Sequence, residues 1–126
     1  MRETERESTA LVTESTPSLN LVFDLLSNRH RRYALYYLYD QPDGVATIEE
    51  VTDHVVALAT RDDGADCEAS VDERVHSVRI ELQHVHLPKL EDAGIVELDR
   101  RSETVRYWTQ PSLEEWLEHA KHKELM

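Results

Sequence analysis

At 126 residues with 40% hydrophobic side chains, the chain has room for one small core and is too short for two. Its 26 acids outweigh 14 Lys plus Arg, and a net charge of -12 argues against broad attraction to nucleic acid. No stretch reaches the roughly 18 unbroken apolar residues of a spanning helix, "MRETEREST" lacks a signal peptide's apolar segment, and the single Cys67 excludes an internal disulfide or a CxxC zinc pair, so a cytoplasmic protein with no membrane partner is expected.

In chain order, "MRETERESTALVTEST" is polar and without period, which predicts a disordered arm over residues 1–16. Thr16 and Pro17 read as an N-cap and first-turn proline of a short helix on which Leu19, Val22, Phe23 and Leu26 share a face. Ser27 is placed to cap a helix over 28–40 that stops before Gln41, Pro42, Asp43 and Gly44. Three capping boxes, "TIEE" at 47–50, "SVDE" at 70–73 and "SLEE" at 112–115, start helices near 48, 71 and 112. Between the last two, "GIVELDRRSETVRYWTQ" alternates apolar and polar residues around a polar tip and predicts a β-hairpin.

On the long helix, ~100° per residue puts Val71, Val75, Val78, Leu82 and Val85 on one stripe, with Ile80 and Leu87 almost opposite. Its end, "EDAG", supplies a small Ala93 and a Gly94 able to take the left-handed conformation that closes a helix, so that Ile95 leaves as a strand. Three core helices followed by a hairpin predict an α+β, mainly α, winged helix-turn-helix: a three-helix core and a two-stranded wing over 17–110, with extra N- and C-terminal helices. "ATRDDGADCEAS" makes the link before the long helix about eleven residues, against three or four in an ordinary helix-turn-helix turn.

"HLPKLEDAGIVE" resembles the "HLxxLxxAGLV" end of the recognition helix in ArsR-type winged-helix regulators. Together with "LLSNRHRRYALYYL" it resembles a haloarchaeal family of small winged-helix domains of mostly uncharacterised function, over about residues 18 to 110. The acid-rich, Lys-poor composition likewise looks like that of extreme halophiles, in whose molar salt the Debye length is about 3 Å and local charge clusters outweigh net charge. The resemblance implies a DNA-binding transcription regulator and puts the base-reading positions at Ile80, Glu81, His84 and Val85.

Charge placement supports double-stranded DNA as the partner. Arg29, His30, Arg31 and Arg32 open a helix with no acid between Asp24 and Asp40, and Arg100 and Arg101 occupy the predicted wing tip. Guanidinium forks suit phosphate, so Arg29, Arg31, Arg32, Arg100 and Arg101 are the expected backbone contacts, with Ser77, Gln83 and His84 as base readers. Leu113, Trp116, Leu117 and Ala120 follow i, i+3, i+4, i+7 on the last helix, 111–126, and are the expected homodimer interface. Tyr33, Tyr36, Tyr37 and Tyr39 crowd one helix, so at least one should point outward, and a winged-helix module that binds protein through these tyrosines or the acidic 60–70 loop is the alternative.

No cofactor, metal or enzymatic role is expected. His84 and His86 lie ~200° apart on a helix, and His119 with His122 lacks a third ligand. Neither a glycine-rich phosphate loop nor a G-x-S-x-G elbow occurs.

Overall fold

The structure is a computed structural model describing residues 17–63 and 70–125. The expected N-terminal arm, the Thr16 cap, Cys67 and the centre of the acidic link lie outside these residues. Among them run α1 (Leu19–Leu26), α2 (Arg29–Asp40), β1 (Val45–Thr47), α3 (Ile48–Asp63), α4 (Val71–Glu81), a π-helical turn (Leu82–His86), α5 (Leu87–Asp92), β2 (Val96–Asp99), β3 (Thr104–Tyr107) and α6 (Pro111–Leu125). It is a mainly helical α+β chain, and no helix among the described residues is long and apolar enough to cross a membrane.

Side chains set most of these boundaries. Ser18 caps α1 and Asn28 caps α2 by accepting from Leu21 N and Arg31 N, so both caps fall after the expected Thr16 and Ser27. Both boxes at 47–50 and 70–73 form: Glu50 accepts from Thr47 N at 2.8 Å while Thr47 Oγ1 accepts from Glu50 N, and Ser70 with Glu73 does the same. The third is displaced. With Pro111 as its first residue, α6 has Glu114 rather than Glu115 reaching back to accept from Gln110 N at 3.2 Å.

The expected two-stranded wing is part of a three-stranded antiparallel sheet, ordered β1-β3-β2. Val45 pairs with Arg106 and Thr47 with Thr104, while Val96 faces Tyr107 and Asp99 faces Thr104. With only three residues, β1 is too short for an alternation to declare it. Gly44 turns the chain into β1 at φ 72, where an added Cβ would sit 2.8 Å from Tyr107 O. Gly44→Ala is therefore expected to lower unfolding free energy by about 2 kcal/mol. Gly94→Ala, at φ 78 with nothing within 4 Å, should cost about 1 kcal/mol through its backbone conformation alone. Equal losses in urea unfolding would show that the Gly44–Tyr107 approach yields without cost.

Residues 71–92 form one interrupted helix. Pro88 has no N–H to return to the preceding turn and its ring crowds the carbonyl there; the chain answers with the π-helical turn just upstream, where Leu87 N–H reaches Leu82 O. That extra residue rotates everything beyond it, so the expected stripe holds at Val78 and Leu82 and then fails. From the turn onward His86, Leu87 and Leu90 are buried while Val85 stands 52% exposed; Val71, upstream of it in the first turn of the helix, also leaves the stripe, at 67% exposed. Gly94 closes the helix as expected, with Ile95 N–H donating to Leu90 O and Gly94 N–H to Glu91 O.

Leu25, Tyr33, Leu35, Val55, Leu82, Leu90 and Val105 meet in one core, which also takes Leu113 and Leu117 of α6. Tyr33 and Tyr36 are buried, while Tyr37 and Tyr39 are half-buried and keep part of their surface outward. Tyr37 stacks on His54 of α3 at 4.7 Å, and the Tyr39 hydroxyl donates to Glu118 of α6. Neighbouring helices use this face, so the tyrosines do not offer a free partner surface.

Candidate nucleic-acid interface

The basic run that opens α2 is committed to the fold. The last carbonyls of a helix have no partner within it, and α1 ends against this run. Arg31 Nε donates to Leu25 O at 2.8 Å, Nη2 to Asp24 O at 2.9 Å, and Arg32 Nη1 to Leu26 O at 2.7 Å. Arg31 is 5% exposed. Arg32 also grips Glu124 with two bonds of 2.9 and 2.7 Å and, by donating to it, holds that carboxyl below its usual range. Arg29 is half-buried, and its charge also acts on Glu124. The phosphate contacts expected of Arg31 and Arg32 conflict with these commitments, because withdrawing either guanidinium would take the arginine donor from Leu25 O or Leu26 O at the end of α1.

Behind Arg31 lies a network that the sequence did not announce. Arg31 Nη1 lies 3.3 Å from His86 Nδ1, His86 Nε2 lies 3.2 Å from Glu81 Oε2, and Glu81 Oε1 bonds His30 Nδ1 at 2.9 Å. His30, Glu81 and His86 present ligand atoms within 4.8 Å of one another, as a metal centre would. Arginine only donates, however, so Nδ1 of His86 must accept and the ring proton is assigned to Nε2. A nitrogen holding that proton has no lone pair for an ion. Nε2 has no aligned hydrogen-bond partner, and the Glu81 carboxylate lies 3.2 Å from it. Glu81 therefore turns inward to the two imidazoles and not toward a bound polyanion.

This network predicts a pH dependence. Burial pushes the His86 imidazole down, against the upward pull of Glu81, and leaves it below its ordinary 6.5. The unfolded chain thus takes up this proton first, so stability present above about pH 6.5 is lost as pH falls through the folded value. Glu81 extends the loss: partial burial raises its carboxyl, but the bond with His30 and the pull of the nearby imidazoles outweigh burial and hold it below 4.5. Urea midpoints should fall between about pH 7.5 and 5.5 in the native chain, and less so in His86→Asn, whose Oδ1 can replace Nδ1. An unchanged slope in that variant would remove His86 from the linkage.

The other expected site residues lie where the long helix meets the hairpin. Gln83, His84, Leu87 and Pro88 form one wall of a cleft of about 420 Å³, and Leu98, Asp99, Arg100 and Glu103 form the other over Ile48. Gln83 is half-buried, His84 is exposed, and Ser77 is exposed about two turns back along the helix. Arg100 has a side chain 69% exposed and only a 3.6 Å contact with Glu91; Arg101 is exposed at the hairpin tip. The structure thus brings together Gln83, His84 and Arg100, with Ser77 and Arg101 at the margins, and leaves Arg29, Arg31 and Arg32 elsewhere. Arg79 joins this face through a 2.9 Å bond to Glu103. Arg106 lies over the Trp108 ring at 5.4 Å. Ile80 is exposed on the same helix.

The expected dimer stripe also changes meaning. Leu113 and Leu117 are completely buried in their own chain, Ala120 is half-buried, and Trp116 is exposed with its ring against Phe23 at 5.2 Å. The first two therefore cannot meet a second subunit. Residues 23–106 match a family described as a domain of unknown function, DUF7344. No curated protein and no solved structure matches the chain.

Proposed function

The chain belongs to the DUF7344 family, and we propose that it is a winged helix-turn-helix DNA-binding regulator working in concentrated salt. The observation that carries this reading is the exposed Arg100–Arg101 hairpin tip, whose Arg100 lines a cleft with Gln83 and His84 of the 71–92 helix. On this reading α2, α3 and the 71–92 helix form the three-helix core, and β2–β3 is the wing. Arg100 and Arg101 hold phosphates, while Ser77, Gln83 and His84 face base edges. Pairing through α6 is no part of the proposal. No side chain in the cleft is arranged as a nucleophile beside a base, and the reading is non-enzymatic.

A second reading, a protein-binding winged helix, draws on exposed Ile80 and Val85 on the would-be reading helix. Binding to duplex DNA of mixed sequence, followed from low to molar salt, separates the two. Arg100→Ala/Arg101→Ala should weaken binding to every sequence and make the log–log salt slope shallower by roughly two, about 0.9 for each phosphate no longer neutralised. Equal binding by both proteins would remove the wing from the mechanism, and no binding by either would refute the DNA reading and favour the protein-binding one.

A further inference from the structure

Arg79 and Glu103 form a contact unlike the arginine bonds that hold α1 and α6 to α2. Arg32 binds Glu124 with two bonds, both side chains about 20% exposed, and Arg31 is buried. Arg79 makes one bond of 2.9 Å to Glu103, with side chains 30% and 55% exposed. Such a pair contributes little to stability and exchanges readily for another anion.

Its location is specific. Arg79 lies one turn before Gln83 on the long helix, and Glu103 sits at the mouth of the cleft on the hairpin. Glu103 is the one non-glycine among the described residues with positive φ, at 57, a conformation that glycine or asparagine would adopt more easily. Its backbone is pinned there by Ile48 N–H donating to Glu103 O at 2.9 Å. A negative side chain is thereby carried across to the guanidinium from the opposite wall. A carboxylate bound by one arginine N–H resembles, in charge and reach, a phosphate oxygen bound by the same donor.

We propose that Arg79 is a third phosphate ligand of this face and that Glu103 is its resident stand-in, displaced when duplex DNA enters between helix and wing. This inference rests on the DNA reading above. The exchange keeps Arg79 paired in both states, and it returns Glu103, already more than half exposed, to solvent. It also gives an acidic protein a threshold: only a polyanion that also engages Arg100 and Arg101 competes effectively with a tethered carboxylate.

The test is a double-mutant cycle on binding to mixed-sequence duplex DNA, with Glu97→Gln as a control that removes one charge from an exposed position on the same hairpin. Glu103→Gln should bind about two- to fivefold tighter than the native chain, the range set by a surface ion pair. Arg79→Gln should bind more weakly, and adding Glu103→Gln to it should restore nothing. The inference is overturned if Glu103→Gln gives no gain, if Glu97→Gln gains as much, or if the gain persists in the Arg79→Gln background. If neither the native chain nor any variant binds duplex DNA, the DNA reading itself fails and takes this inference with it.

Discussion

Arg31→Leu is expected to lower the free energy of unfolding by about 3–5 kcal/mol, the usual loss when one partner of a buried charged network is removed. Leucine can fill much of the volume, but it leaves Leu25 O and His86 Nδ1 without their donor and Asp24 O with its Ser27 bonds alone. Each buried group so orphaned costs about 1–3 kcal/mol, which outweighs the gain from a more apolar side chain. Urea unfolding at neutral pH measures the loss, and Arg100→Ala, an exposed change, should stay within about 0.5 kcal/mol of the native chain. A fully stable Arg31→Leu protein with diminished DNA affinity would reverse the assignment and return Arg31 to the binding surface.

Leu117→Ala should have the next largest effect, about 3 kcal/mol, from lost burial and the cavity left behind. Leu117 is completely buried, and α6 is held on both sides of it: Tyr107 donates to Glu114 at 2.7 Å, and Lys121 reaches Asp40 at 2.7 Å. A helix fixed at so many points has little room to collapse into the void. Because the contacts are internal, the loss should be the same at every protein concentration. A loss that vanished on dilution, with a fall in molecular mass by light scattering, would restore Leu117 to a subunit interface.

The elements were legible where one local signal decided them. Capping boxes at Thr47 and Ser70, Gly94 after a periodic helix, and the alternation around Arg100 and Arg101 each specify a boundary by chemistry within a few residues. What escaped depended on distance or on a broken period. β1 exists because Val45–Thr47 finds β3 some sixty residues later. The π-helical turn shifts the register at Leu82, so a uniform 100° step put Val85 inside and Leu87 almost opposite, whereas Leu87 is buried and Val85 exposed; Pro88 was the local sign of that shift. The Arg cluster misled for a different reason. A gap in acids along residues 25–39 shows where positive charge gathers, but not that the end of α1 and Glu124 of α6 would fold against it. Arg100 and Arg101 kept their expected exposure because a hairpin tip has few neighbours to claim them.

The central claim is that duplex DNA lies against the long helix and the hairpin together. Backbone amide shifts recorded while mixed-sequence duplex is added test it most directly. The account predicts the largest changes over residues 77–84 and 99–104, with Phe23 and Trp116, an apolar patch outside the cleft lining, unmoved. Shifts confined to that patch, or a hairpin that does not respond, would contradict it.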